Sequence, residues 1–263
     1  MANLVHRDFS DEFVPGVGDK ISIRKPAQFE AREFNGTSID VQDATENSVT
    51  VTMDKHLDVS FAVTSKQMAM DIADFSTQFL VPAMQAFSDK IDKCILGLAT
   101  DITNRVSATG SVRDDVVDAR GFFTKNAAPL TERNLVYGSD METKLLKTDL
   151  FTHADKVGDA GTALREASLG RKYGMDFYVD QNVDGGNIDG IAFHKNAFAF
   201  VTRPLEQPQG AAKSAIMSYD GFGLRVVYDY DINTKKDTIS IDMLCGFKTL
   251  DARLASIIES AGA

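Results

Sequence analysis

The chain has 263 residues, of which 43% are apolar and 25% charged, and its formal net charge is -10. That acidic balance excludes a dedicated nucleic-acid binder, which needs Lys and Arg clustered on a broadly basic face to neutralise phosphates. No run of about 20 apolar residues occurs, and the first residues lack a cationic stretch followed by an apolar one, so neither a membrane span nor a secretory signal is expected. This apolar content suffices for a sizeable core in one domain or two joined lobes. Cys94 and Cys245 read as buried thiols in a reducing compartment rather than as a disulfide.

The first element in chain order is a charged two-strand arm. Lys20 to Pro26 alternates apolar and charged residues as a strand with one buried face does, and Pro26 closes it or marks an edge. After the turn-prone Asn35-Gly36-Thr37-Ser38, a return path runs through Val49 to Met53 and Leu57 to Val63, rich in β-branched residues. The outgoing half carries Lys20, Arg24, Lys25 and Arg32, and the return carries Asp40, Asp43, Glu46, Asp54 and Asp58. A two-stranded ribbon has too little apolar face to offset its ordering entropy, so a partner surface is expected, possibly on another subunit. The alternative is a solvated hairpin held by weak cross-strand ion pairs.

Ser65 is placed to cap a short helix through Met68 and Ile72, and Asp74 to cap the next turn. Met84, Phe87, Ile91, Cys94, Leu98 and Ile102 then fall at spacings of three or four, predicting a helix from about Pro82 to Asn104. Gly97 interrupts the pattern, which favours a spine packed across a sheet over a coiled coil. The middle of the chain alternates as an α+β lobe does. Asp114 to Asn126 reads helical, Asn134 to Tyr137 extended, Ser139 to Lys147 helical, Leu164 to Leu169 a short helix, and Met175 to Val179 a strand. Gly223 to Tyr230 and Asp237 to Cys245 form a hairpin around Asn233-Thr234-Lys235-Lys236, with Arg225, Lys235 and Lys236 facing Asp229, Asp231 and Asp237 as solvated pairs.

Signatures of catalysis are weak. His6, His56, His153 and His194 lie far apart, without metal-ligand spacing. The segment Asp184 to Gly190 lacks the alternating acids and closing Glu of a calcium loop and reads as a turn between strands. No nucleophile elbow, phosphate loop or dinucleotide fingerprint occurs, so no enzyme activity, cofactor or metal is expected.

The order of three segments in the front third carries a resemblance: GDKISIRKPAQFEARE from Gly18, VQDATENSVTVTMDKHLDVSFAVTSKQM from Val41 and DFSTQFLVPAMQAFSDKID from Asp74. It continues through LGRKYGMDFYVDQNV from Leu169 and GFGLRVVYDYDINTKKDTISIDMLCGFKTLDARLA from Gly221. In these segments the chain resembles the major capsid proteins of tailed bacteriophages, specifically the coat proteins of short-tailed phages, with the stretch from about 107 to 165 as the weakest part.

The resemblance implies an α+β capsid fold and an N-terminal arm over 1–17, shorter than relatives commonly carry. It further implies an extended β-hairpin loop over 18–64, a spine helix and peripheral domain over 65–110, an axial domain over 111–220, and a return hairpin with a C-terminal peripheral segment over 221–263. Arg203 to Gly210 is only a short loop where some members insert a whole domain. The resemblance implies a subunit that self-associates into hexamers and pentamers of an icosahedral shell, made and assembled in the host cytoplasm and ending in the virion capsid. Its partners would be copies of itself, a scaffolding protein, a portal, and packaged double-stranded DNA held by containment, with no membrane. Lys20, Arg24, Lys25, Arg32, Asp54 and Asp58 are the expected inter-subunit contacts of the arm. The alternative from another class is an encapsulin-like nanocompartment shell enclosing a cargo enzyme.

Overall fold

The computed structural model describes residues 1–7, 20–24, 31, 33, 48–70, 76–148, 166–183, 187–219 and 222–260. In chain order its strands and helices are β1 (Lys20–Arg24), β2 (Ser48–Thr52), β3 (Lys55–Thr64), α1 (Ser65–Met70), α2 (Val81–Gly97), β4 (Arg105–Val106), α3 (Val112–Lys125), β5 (Arg133–Tyr137) and α4 (Ser139–Leu146). They continue as β6 (Arg171–Lys172), β7 (Met175–Val179), β8 (Ile188–His194), β9 (Phe198–Arg203), β10 (Lys213–Tyr219), β11 (Phe222–Asp231), β12 (Lys236–Thr249) and β13 (Ala255–Glu259).

These strands make a ribbon and two sheets. The ribbon is β1 against β2. One sheet runs β10-β11-β12-β3, with β9 paired to the far half of β12, and the other runs β4-β13-β8-β5-β7-β6. All five residues of β5 are buried, as expected of a strand covered on both faces. On one face Val136, Ile191, Phe193 and Ile257 join the core beneath α2, and on the other Leu135, Tyr137, Ala192 and Ile258 join a second core beneath α3 and α4. The first core also takes Ile239, Ile241 and Met243 of β12, so α2 is packed where the two sheets meet.

The spine α2 differs from its sequence expectation in length and, at Met84 and Cys94, in face, while Phe87 and Ile91 are buried as expected and Leu98 packs against the core. It ends at Gly97, and a 3-10 turn over Leu98–Asp101 replaces the predicted continuation to Asn104. The buried stripe is Ala83, Phe87, Ile91 and Ile95, with Leu96 beside it. Met84 is exposed and Cys94 only half-buried. A strict spacing of four follows one face of an α-helix with a slow drift, and Ala83 rather than Met84 opens the buried stripe. Ile102 is buried after all, but in extended backbone beyond the helix.

In α3, Val112, Val116, Ala119 and Phe123 form the inner face. The buried Asp115 fixes the chain's entry into it by accepting from the Thr109 N–H at 2.9 Å and the Thr109 hydroxyl at 2.7 Å. The extended reading of Asn134 to Tyr137 and the helical reading of Ser139 to Lys147 match β5 and α4 closely. Glu166 is helical while Ala167 to Leu169 are not, and the remainder of that expected helix lies outside the described residues. The hairpin around Asn233 forms as β11 and β12, and Lys235 takes the left-handed conformation (φ 55°) that its tight turn requires.

The extended loop expected over 18–64 gives way at Asp54. Beyond it, β3 pairs with β12 from Lys55↔Cys245 to Thr64↔Lys236 and belongs to the five-stranded sheet. The cause is its alternation, which puts Leu57, Val59 and Phe61 against the spine core. At the other end of the chain, β13 lies between β4 and β8 in the six-stranded sheet.

Candidate subunit-interaction site

The ribbon pairs Lys20 with Thr52, Ile21 with Val51, Ser22 with Thr50, Ile23 with Val49 and Arg24 with Ser48. Its base is anchored by a small third core, in which Val51 and Met53 pack with Ala199 and Val201 while Ile21 and Ile23 lie against them. Val51 is fully buried. The chain leaves the ribbon across β12 at Gly246, where a Cβ would stand 2.3 Å from the Thr52 carbonyl oxygen. Only glycine permits that approach. Lys55, just past the joint, places its Nζ 3.9 Å from the Cys94 Sγ and 5.7 Å from the centre of the Phe247 ring.

The expected contact residues separate into groups. Lys20 is exposed at the ribbon base, and Arg24 lies four residues further out, about 13 Å along the strand. Lys25 and Arg32 lie outside the described residues, as do Asp40, Asp43 and Glu46. Asp54 is exposed at the joint. Asp58 belongs to the body, where its carboxylate accepts from the Ser60 hydroxyl at 2.9 Å and the Ser240 hydroxyl at 2.7 Å. The arrangement of opposite charges across the hairpin is therefore corrected for the described ribbon, because the residues facing Lys20 and Arg24 are Thr52 and Ser48.

The body, by contrast, pairs Asp242 within its own sheet. Asp242 of β12 is buried and held by two hydrogen bonds from Arg225, the Nε donating at 2.9 Å, while the Arg225 Nη1 donates to the Glu206 carbonyl at 2.6 Å. The hydrogen bond to Asp242 holds the guanidinium above its ordinary pKa. His56 Nε2 lies 3.2 Å from the same carboxylate. The solvated pairing expected of Arg225 with Asp229, Asp231 and Asp237 is thus replaced by a partly buried one across the β11–β12 ladder. Asp237 instead accepts from the Tyr228 hydroxyl, and Asp231 caps the turn through Asn233 and Thr234.

Burial is the main perturbation at Asp92, Arg133, Tyr137, His194 and Cys245, and the last two bear on reactivity. His194 Nδ1 accepts the Asn196 N–H at 3.1 Å, so its Nε2 carries the proton, and that atom has no hydrogen-bond partner among the described residues. Burial lowers its pKa. Burial followed by the nearby Cys94 pushes the Cys245 thiol up to about 12, which keeps it protonated and inert. Both cysteines are free. Among the described residues no group of His, Cys, Asp or Glu is arranged to hold a metal, and no helix is long and apolar enough to cross a membrane.

No protein-family model and no curated protein matches this chain. Solved structures do. A chain of Mycobacterium phage Che8 superposes with a TM-score of 0.75 at 19% identity, over 100% of this chain and 91% of its own length. The capsid structure of cyanophage P-SCSP1u gives 0.67 at 14% identity, covering 99% of this chain and 87% of that one. The mature capsid of bacteriophage PhiM1 gives 0.64 at 10%, covering 94% and 84%. This chain has the phage capsid fold. Within that fold the sequence located the ribbon, the spine and the β11–β12 hairpin. It missed the ribbon's anchorage through Val51 and Met53 and the Arg225–Asp242–His56 cluster. Val51 and Met53 carry a signal, an apolar pair at spacing two ending in a joint, but nothing in the sequence aligns them with Gly246, about 190 residues downstream.

Proposed function

We propose that this chain is a structural shell subunit, the major capsid protein of a tailed phage, which self-associates into hexamers and pentamers of an icosahedral shell around the genome. The observation that carries the reading is the whole-chain superposition on phage capsid subunits, with 99% of this chain and 87% of the cyanophage capsid chain aligned. The ribbon supports it from physics. Its anchored base fixes where it leaves the body, and a ribbon of two five-residue strands has too little apolar face to order itself alone.

In this reading Lys20, Arg24, Lys25 and Arg32 contact the acidic surface of a neighbour, and Asp54 contributes at the joint. Asp58, already occupied by Ser60 and Ser240, contributes least. A standard interface of about 1,600 Å² spans affinities from micromolar to picomolar, so repetition around each subunit, rather than any single contact, stabilises the closed shell. The net charge of -10 suits a wall from which packaged duplex slides freely, with DNA held by containment. A scaffolding protein and a portal would be the other partners, with assembly in the host cytoplasm and the finished shell in the virion. The nanocompartment reading has no observation in its favour.

The deciding experiment is negative-stain electron microscopy of the purified full chain, concentrated alone and with any scaffold encoded beside it. Closed shells support the reading, and a persistent monomer under both conditions overturns it. The double variant Arg24→Glu/Lys25→Glu is expected to lose most shell yield at unchanged melting temperature, and wild-type yield from it would remove the arm's cations from the contact.

A further inference from the structure

Besides the outer edge of β9, which the His6 backbone covers through hydrogen bonds with Phe198 and Phe200, four strand edges bound the two sheets, and three of them are protected. The outer strands β4 and β6 of the six-stranded sheet are two residues each. In the five-stranded sheet, the outer strand β3 carries Lys55, His56 and Asp58. Short length and charge are the ordinary devices that keep a sheet edge from pairing with another chain. The fourth edge, β10, has neither. It is seven residues long, KSAIMSY, with Lys213 at one end as its only charge. Its register with β11 runs unbroken from Lys213↔Tyr228 to Tyr219↔Phe222, so no bulge twists it away. Among the described residues β11 is its only strand partner. Ile216 is 41% exposed and Met217 67%, and as successive residues of a strand they point to opposite faces.

We infer that the β10 edge pairs with β10 of a second copy of this chain, antiparallel and centred on Ile216, joining two five-stranded sheets into one. The strand is self-complementary in that register: Ile216 faces Ile216, Ala215 faces Met217, and Lys213 faces Tyr219, the relation a two-fold axis demands. Charge selects the same arrangement. With a net charge of -10, copies repel over most of their surface, yet this edge holds no carboxylate. Antiparallel pairing sets the two Lys213 side chains about 20 Å apart, whereas parallel pairing would set them against each other. One strand pair buries much less than a standard interface, so the contact is weak alone and gains strength only when repeated. The inference rests on the reading that copies of this chain associate, and adds a two-fold contact distinct from the arm.

Two variants of the full chain test it. Ile216→Cys places two thiols at the directly opposed position, where Cα separations of about 5.5 Å suit a disulfide. Mild oxidation with copper–phenanthroline is expected to give covalent dimers absent from the wild-type chain and from Lys213→Cys. Met217→Lys adds a charge at an exposed position, so its melting temperature should be unchanged while the protein concentration needed for shells rises at least about tenfold. Wild-type shell yield from Met217→Lys, or no covalent dimer of Ile216→Cys under conditions where the wild-type chain forms shells, overturns the edge pairing and leaves the shell reading standing. Covalent Ile216→Cys dimers from a chain that forms no shells would leave the edge pairing and overturn the shell.

Discussion

Strands β2 and β3 follow one another with only Met53 and Asp54 between them, and both alternate β-branched with polar residues, yet they end in different structures. β2 lies in a two-stranded ribbon, buried only where Val51 reaches the body, while β3 lies in a five-stranded sheet with Leu57, Val59 and Phe61 against the spine core. Charges follow the same division. In the body, Asp58 and Asp242 are met by Ser240, Arg225 and His56, whereas on the ribbon Lys20 and Arg24 stand opposite threonine and serine. A region whose partners lie within its own chain is finished on folding, and on the proposed reading a region without them is finished by association.

That contrast is broken most severely from the body side. Phe87→Ala should cost about 3–5 kcal/mol in chemical denaturation, since it opens a cavity under α2, while Met84→Ala on the exposed side of the same helix should stay within about 0.5 kcal/mol. Equal losses would restore the face expected from the sequence. Asp242→Ala leaves the half-buried Arg225 guanidinium without its carboxylate and should cost about 1–3 kcal/mol, measured the same way. Gly246→Ala drives a methyl group against the Thr52 carbonyl and should cost about 1–3 kcal/mol. Because the strain falls on the ribbon base, limited proteolysis should cut near residues 48–54 before it reaches the body, and an unchanged cleavage pattern would sever the link between Gly246 and the arm.

The smallest effect is a pH slope from His194. Its pKa is lowered in the folded chain by burial, with Glu132 pulling it up and Arg133 and Lys195 pushing it down. Below the ordinary value of about 6.5, the unfolded chain takes up a proton that the folded chain resists, so stability is full above that pH and declines as pH falls through the folded value. Protonating Nδ1 would also displace the Asn196 N–H that it accepts. Melting curves from pH 7.5 to 5 should fall more steeply for the wild-type chain than for His194→Gln, and parallel curves would show that this histidine does not couple folding to pH.

Much of this architecture was legible in the residues themselves. Period-two alternation marked β1, β11 and β12, spacings of three and four marked α2, and the turn residues around Asn233 marked the hairpin, because periodicity and turn chemistry are local properties of the chain. What tertiary structure alone decided was which neighbour each face meets. Whether Met84 or Ala83 points inward depends on how closely α2 approaches a sheet assembled from distant strands. Whether Asp58 is an arm charge or a body charge depends on β3 finding β12 rather than β1. Whether Arg225 is solvated or joined to Asp242 depends on the register of a ladder. Each of these is fixed by contacts between residues far apart in sequence, where a shift of one residue moves a side chain to the opposite face, and no local pattern carries that information.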